Sequence, residues 1–149
     1  MSSEPENEAE KTKTDIRTVY TETVIDHAQH PRNIGSLQSP DGSGSVTGSC
    51  GDIMEISIRV RNDRILSATF MTDGCGTTIA AGSILTELAK GKTVSEAFKI
   101  TQRDVLNALG GLPEESQHCA LLAADTLKAA IKDYLAFKNE PWKRKYRAR

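Results

Sequence analysis

The chain has 149 residues, a hydrophobic fraction of 38% and a formal net charge of −1. This length favours one domain with one modest core, and the near-neutral charge is not typical of a nucleic-acid-binding protein. Three cysteines are an odd number and too few for the disulfide framework of a small secreted protein. No apolar run approaches the roughly 18 residues that a membrane-spanning helix needs.

Charge is distributed unevenly along the chain. Glutamates dominate the first ten residues, whereas lysines and arginines dominate the last twelve. The acidic start does not resemble a secretory signal or a transit peptide, so we expect a reducing cytoplasm. We predict a flexible acidic tail over residues 1–17, a domain over 18–137 and a basic tail over 138–149. In the basic tail Trp142 could stack on a nucleic-acid base, but a solvated tail that docks on an acidic partner is the preferred interpretation.

The first predicted element is a short helix over residues 20–29, which a proline ends. His27 and His30 have a possible metal-ligand spacing near its end, although capping of the last turn is the simpler interpretation. Residues 35–49 are rich in glycine and serine and predict a loop that leads into an edge strand near Val46.

Two alternating patterns follow the loop. Apolar residues at every second position over 54–60 predict a half-buried strand, and a tight turn follows at 61–64. Leu66, Ala68 and Phe70 are the apolar positions of the next strand. Together with the edge strand they predict an antiparallel meander of three strands.

The period of the pattern becomes helical after Gly76. The first long helix is predicted to end at residues 90–91, and its repeating positions are Ile79, Ser83, Ile84, Glu87 and Leu88. A capping box at 93–96 opens a short helix, and another helix covers 101–109. The last helix begins near Ser116 with a buried stripe of Ala123, Leu127, Ala130, Ile131 and Tyr134. Strands followed by helices predict an α+β two-layer sandwich, with helices on one face of a three-stranded antiparallel sheet.

Cys50, Cys75 and Cys119 each lie at a junction between predicted elements. A buried cysteine is often only a small apolar residue, but none of these three has the apolar flanks of a core position. Glycines beside Cys50 and Cys75 allow the backbone to approach a bound object closely. Cys75 precedes a helix and Cys119 lies in the first turn of another, where the partial positive charge of a helix N-terminus favours a thiolate.

A carboxylate and an imidazole accompany the cysteines. Asp52 lies two residues after Cys50 at a strand start, so both side chains point to the same side. Three thiolates with Asp52 or His118 provide four ligands for zinc or for an iron–sulfur cluster, and the spacing alone does not choose between them. An oxygen ligand suits iron–sulfide chemistry poorly, which favours a transiently held group over a structural metal.

These motifs resemble the NifU/IscU-type iron–sulfur cluster assembly scaffolds. The similarity covers about residues 20–134, nearly all of the predicted domain. It rests on the segments Tyr20–His27, His30–Gly35, Gly48–Asp52, Thr72–Gly76 and Leu112-Pro113 followed by His118-Cys119.

The resemblance implies a ligand set and a set of roles. It implies that Cys50, Asp52, Cys75, His118 and Cys119 hold a transient [2Fe–2S] cluster, which can pass to [4Fe–4S], and that Zn²⁺ occupies the site in the resting form. Cys119 is the implied acceptor of persulfide sulfur, and we expect Asp52, as the weak oxygen ligand, to assist cluster release.

The implied partners are a pyridoxal-phosphate cysteine desulfurase, a ferredoxin or other reductant, a frataxin-like protein and apo iron–sulfur acceptor proteins. The aromatic residue that matches Tyr20 is linked in the family to self-association, which implies a homodimer. The family's Leu-Pro-Pro-Val-Lys segment, which an Hsp70 chaperone reads, is replaced here by residues 112–116, Leu-Pro-Glu-Glu-Ser. This departure places recognition by the chaperone in doubt.

A scaffold that is not an enzyme is therefore the first hypothesis, and His118 favours it over SufU, a sulfur-shuttling relative that lacks this histidine. The second is a zinc-bound sulfurtransferase that accepts persulfide on Cys119 as the partner of a cysteine desulfurase. The third is a Cys–His hydrolase, which is disfavoured because neighbours on a helix point about 100° apart.

Overall fold

A computed structural model describes residues 19–140 of the chain, in which a three-stranded antiparallel sheet carries helices on one face. Its elements are α1 (Glu22–Gln29), β1 (Gly42–Thr47), β2 (Ile53–Arg61), β3 (Arg64–Thr72), α2 (Gly76–Ala89), α3 (Val94–Phe98), α4 (Gln102–Leu109), a 3₁₀ turn (Glu114–Ser116) and α5 (His118–Asn139). The strand order β1-β2-β3 confirms the predicted meander and α+β fold class. The predicted tail over 1–17 and the residues beyond 140, with Trp142, lie outside the described residues.

No helix within residues 19–140 combines the length and the apolar character that crossing a bilayer requires.

The inner face of the sheet forms one layer of the core. Met54, Ile56 and Ile58 of β2 are completely buried, as the alternating pattern predicts. The edge strand β1 faces α5 through Gly42 and Gly44 rather than through side chains. A Cβ atom at Gly44 would lie 2.6 Å from the backbone nitrogen of Ala130, so the strand and the helix are in direct backbone contact.

The β2–β3 hairpin departs from the predicted alternation at Leu66. Arg59 pairs with Ser67 and the next residue of β2, Val60, pairs with Ile65. Leu66 is therefore an extra residue of β3 that has no partner in β2. Such a bulge shifts the following side chains to the other face. Leu66 is 50% exposed whereas Ile65 is 1% exposed, so the prediction that Leu66 shares the buried face of the strand is wrong.

The first long helix, α2, is buried on more sides than a stripe pattern indicates. It packs against β3, α1 and α5. Its buried residues are Thr78, Ala80, Ala81, Gly82, Ser83, Leu85, Thr86 and Ala89. Of the five positions predicted to repeat, only Ser83 is fully buried, and Glu87 is exposed. The small residues of this helix let three neighbours approach it, which a search for large apolar side chains does not detect.

The remaining helices follow their sequence signals. The capping box predicted at Thr93 and Glu96 is present, and a second one joins Thr101 to Asp104. The last helix begins at His118 after a 3₁₀ turn, close to the predicted start. Four of the five residues in its predicted stripe are fully buried, and Tyr134 is partly buried against the same core.

Helix α1 is attached to α2 by a buried polar contact. His27 is 7% exposed, and its Nδ1 lies 2.7 Å from the hydroxyl of Ser83, which accepts a hydrogen bond from the backbone N–H of Arg32. The hydroxyl proton of Ser83 is therefore free to be donated to His27. His30 is the exposed C-cap residue of α1. These contacts make His27 a packing residue, and they do not favour the metal interpretation of the two histidines.

We expect the free energy of unfolding to decrease as the pH falls below the ordinary histidine pKa of about 6.5. Burial lowers the pKa of His27, and the nearby charge of Arg32 lowers it further. The unfolded chain, with an ordinary histidine pKa of about 6.5, therefore binds the proton more tightly than the folded chain. This stability is present above the ordinary pKa and is lost as the pH falls from there through the lower pKa of His27 in the folded chain. Urea titrations at several pH values measure this slope.

The matched control for this prediction is His30→Gln, because His30 is exposed at the end of the same helix. His27→Gln should flatten the pH dependence, whereas His30→Gln should leave it unchanged. Equal slopes for the unaltered chain and for His27→Gln would contradict the assignment.

Candidate functional site

Four of the predicted site residues lie at one end of the sheet. Asp52 directly precedes β2, Cys75 is the N-cap residue of α2, and His118 and Cys119 are the first residues of α5. The antiparallel sheet brings the start of β2 beside the end of β3, and the two helices begin at this same end. Segments that are distant in the chain therefore contribute to one site.

Two threonine hydroxyls connect these residues. The hydroxyl of Thr77 lies 3.4 Å from the sulfur of Cys75 and 3.5 Å from the sulfur of Cys119. The hydroxyl of Thr78 donates to Oδ2 of Asp52 at 2.9 Å and lies 3.4 Å from the sulfur of Cys119. The result is a continuous chain of polar contacts from Cys75 through Cys119 to Asp52.

The surroundings of Cys75 favour its ionised form. It is exposed, and the hydrogen bond from the hydroxyl of Thr77 lowers its pKa. The backbone N–H groups of Thr77 and Thr78, at the start of α2, lower the pKa of Cys75 further, while partial burial opposes the shift. The direction of the shift agrees with the expectation that a cysteine at the start of a helix favours the thiolate.

Cys119 has a different environment, because it is only 3% exposed and belongs to the core. Nε2 of His118 lies 3.8 Å from its sulfur. Adjacent helix residues can thus approach each other here, although we expected them to diverge. A burial this deep means that a protein partner cannot reach the sulfur of Cys119 unless the site opens.

Cys50 lies on an exposed turn next to the site. The turn is closed by hydrogen bonds from the N–H of Gly51 to Gly48 and from the N–H of Gly48 to Asp52. Gly51 has a φ of +94°, which a residue with a side chain rarely adopts. Within residues 19–140, no three His, Cys, Asp or Glu side chains are already grouped to hold a metal ion. To hold a metal ion or cluster jointly, the predicted ligands would have to come closer together.

Neither threonine was among the residues predicted to form the site. Their signal is present in the sequence, because residues two and three positions after an N-cap lie in the first helical turn, beside the cap. Gly74 was expected to allow a bound ligand to approach the backbone, but neighbouring protein atoms also leave no space for a side chain there. A Cβ atom there would lie 2.6 Å from Oδ2 of Asp52 and 2.7 Å from Cβ of Thr78.

An apolar cavity of about 340 Å³ opens between α1 and α2 beside Cys75. Its lining includes Tyr20, Val24, Ile25 and Ala28. An apolar side chain of a partner could enter this space and so lie next to an exposed thiol. Tyr20, which the resemblance linked to self-association, is therefore next to the site.

Residues 19–141 match the family model described as the NifU-like N terminal domain. The chain belongs to this family. A NifU-like relative from Archaeoglobus fulgidus, iron-sulfur cluster assembly scaffold protein IscU 1, is 50% identical over 117 residues, which cover 78% of this chain and 76% of that protein. The iron-sulfur cluster assembly scaffold protein IscU of Escherichia coli is 46% identical over 120 residues, covering 77% of this chain and 93% of that protein.

The fold agrees with the family. The crystal structure of the N-terminal part of a nitrogen-fixing NifU-like protein from Brucella abortus superposes with a TM-score of 0.64. It covers 81% of this chain and 97% of that chain at 19% identity. A likeness at this identity shows the NifU-like fold alone.

Proposed function

We propose that this NifU-like domain is a scaffold on which a [2Fe–2S] cluster, or a [4Fe–4S] cluster, is assembled and then transferred to apo-proteins. The observation that carries the proposal is the chain of contacts that joins Cys75, Cys119 and Asp52 next to the exposed Cys50. The names of the two IscU relatives support the same function. We propose that the chain acts as a carrier of the cluster and not as an enzyme.

The cluster is the cargo of this scaffold, and the side chains act as its ligands. We assign Cys50, Cys75 and Cys119 as thiolate ligands, with Asp52 or His118 in the fourth position. Thiolates are the usual ligands of iron–sulfur clusters, and one oxygen ligand weakens the set. A weaker set releases its cargo more readily, which is the role that we assign to Asp52.

Sulfur enters the site as a persulfide carried by a cysteine desulfurase. The thiolate of Cys119 attacks the outer sulfur of this persulfide, a new S–S bond forms, and the donor's S–S bond breaks with its thiolate as the leaving group. Reduction of the transferred sulfur to sulfide then needs two electrons from a ferredoxin or another reductant. Because Cys119 is 3% exposed, the site must open before this attack.

The same donor atoms suit Zn²⁺, because thiolate, imidazole and carboxylate groups are its ordinary ligands. We propose that Zn²⁺ is held in the resting form by Cys50, Cys75 and Cys119 together with Asp52 or His118. Bound zinc would keep the three thiols as thiolates, and its positive charge would balance their negative charges.

The contacts around residues 112–116 support a release step without the Hsp70 chaperone. Leu112 is 8% exposed, and its carbonyl accepts a hydrogen bond from the side-chain amide of Gln117. The two residues that replace the family's proline and valine, Glu114 and Glu115, are exposed acids. A chaperone that binds extended apolar segments would have to extract Leu112 from the core.

The proposed function also includes a cellular compartment and a set of partners. A reducing cytoplasm keeps the three free cysteines as thiols. The partners are the desulfurase, the reductant and the apo acceptor proteins, and a second copy of the chain can contact the cavity at Tyr20. The hydrolase hypothesis loses support, because the sulfur of Cys119 is buried and in contact with two threonine hydroxyls.

Anaerobic incubation of the protein with ferrous iron, L-cysteine, a cysteine desulfurase and a reductant tests the proposal. We expect sulfur-to-iron charge-transfer absorption in the visible range, together with bound iron and acid-labile sulfide. The coloured protein should then convert an apo-ferredoxin to its holo form. If the protein stays colourless, contains zinc as its only metal and carries a persulfide on Cys119, the scaffold hypothesis is wrong. The zinc-bound sulfurtransferase is then the better hypothesis.

A further inference from the structure

The hydroxyl of Thr78 occupies a buried position between two proposed ligands. The side chain is completely buried in the first turn of α2, and its Oγ1 donates to Oδ2 of Asp52 at 2.9 Å. The absence of a side chain at Gly74 leaves the space that this carboxylate oxygen fills. The contact between Thr78 and Asp52 is thus built into the packing around it and does not depend on a mobile surface group.

The direction of the hydrogen bonds follows from the chemistry of the hydroxyl. A threonine hydroxyl has one proton, and in this structure it points to the carboxylate of Asp52. The same hydroxyl also lies 3.4 Å from the sulfur of Cys119, as a second polar contact of this side chain. Thr78 joins a residue at the start of β2 to a residue at the start of α5.

We infer that Thr78 is a positioning residue, which holds Oδ2 of Asp52 and leaves Oδ1 as the oxygen available to a metal ion or cluster. This inference rests on the proposed function, because it concerns how one of the proposed ligands is oriented. Carboxylates that ligate metals are in turn held by outer hydrogen bonds, and loss of such a bond costs about 10- to 100-fold in metal affinity.

The shape of threonine suits this task. Its β-branched side chain has few accessible rotamers, so the hydroxyl is already directed before any ligand binds. Valine has nearly the same shape without the hydroxyl, and serine retains the hydroxyl without the methyl group. The two substitutions therefore separate the hydrogen bond from the packing.

The test is a double-mutant cycle read as Zn²⁺ affinity, measured by competition with a chromophoric chelator. We expect Thr78→Val to weaken Zn²⁺ binding about 10-fold and Thr78→Ser to retain most of the affinity. Asp52→Ala should also weaken binding, and adding Thr78→Val to it should cause no further loss, because the hydroxyl acts through Asp52.

The matched control is Thr126→Val in α5. Thr126 is also completely buried, and its hydroxyl donates to the carbonyl of Leu122 at 2.7 Å. This variant should lose stability without losing Zn²⁺ affinity. Thermal melts of the metal-free variants identify any chain that fails to fold, and Thr78→Ala then serves as the second hydroxyl-free variant.

Three results would overturn the inference. In the first, the losses of Zn²⁺ affinity caused by Thr78→Val and Asp52→Ala add in the double variant. In the second, Thr78→Ser and Thr78→Val lose the same affinity. In the third, Zn²⁺ affinity is unchanged when either Thr78 or Asp52 is substituted. Failure of the proposed function has a different signature, since the unaltered chain would then assemble no cluster, whether or not it binds Zn²⁺. The two failures are therefore distinguishable.

Discussion

The Cys75→Ser variant should remain almost colourless after anaerobic incubation with ferrous iron, L-cysteine, a cysteine desulfurase and a reductant. Cys75 is exposed at the start of α2, and its hydrogen bonds lower its pKa, so it is well prepared to ligate iron as a thiolate. A serine hydroxyl keeps the shape but is a hard oxygen donor that binds iron–sulfide groups poorly. We expect nearly all of the charge-transfer absorption to disappear. Ultraviolet–visible spectroscopy with iron and sulfide analysis measures the loss.

The same loss is expected for Cys50→Ser and Cys119→Ser, for different reasons. Cys50 must close over the site from its turn, whereas Cys119 is the buried ligand and the proposed persulfide acceptor. Because Cys119 belongs to the core, its variant needs a thermal melt to show that it folds. Ser49→Ala is the matched control, since it removes a hydroxyl from the same exposed turn as Cys50. Full absorption in Cys75→Ser would remove this thiol from the ligand set.

Gly44→Ala should destabilise the domain by about 3 kcal/mol, at the upper end of the usual cost of overpacking. The added Cβ would lie 2.6 Å from the backbone nitrogen of Ala130 and 2.7 Å from Cβ of Ala129. Neither atom belongs to a flexible side-chain end, so β1 and α5 must move apart. Urea unfolding followed by circular dichroism gives the change in the free energy of unfolding.

Ser45→Ala is the control for this prediction. Ser45 is the next residue of β1 and is exposed on the other face of the strand, so its substitution should change the stability by less than about 0.5 kcal/mol. Cys119 lies at the start of the same helix that the Gly44 variant displaces. We therefore expect Gly44→Ala to assemble less cluster as well. Equal unfolding midpoints for the two variants would show that β1 and α5 separate without cost.

Local patterns determined much of the fold in advance. Strand β2 was predictable because its apolar residues alternate, and helices α3 and α4 because each begins with a residue that can cap it. The candidate ligands were also recognisable, since each cysteine has polar or glycine neighbours at a junction between elements. All of these signals come from residues within about four positions of one another, which is the range of helical and strand periodicity.

Other features required the tertiary structure, because they depend on residues that packing brings together. The bulge at Leu66 is set by how β2 and β3 pair, and the burial of His27 by Ser83, which is 56 residues away in the chain. The burial of α2 was not predictable from its pattern of large apolar residues, because most of its buried residues are small.

The sequence by itself determined the type of fold, the family resemblance and the residues able to bind a metal or cluster. Only the tertiary structure decided that Cys75 is exposed while Cys119 is buried, and that two threonines connect them to Asp52. Thr78 and Cys119 are 41 residues apart in the chain. Their contact exists because α2 and α5 begin at the same end of the sheet, and no pattern within a single element specifies how two elements dock.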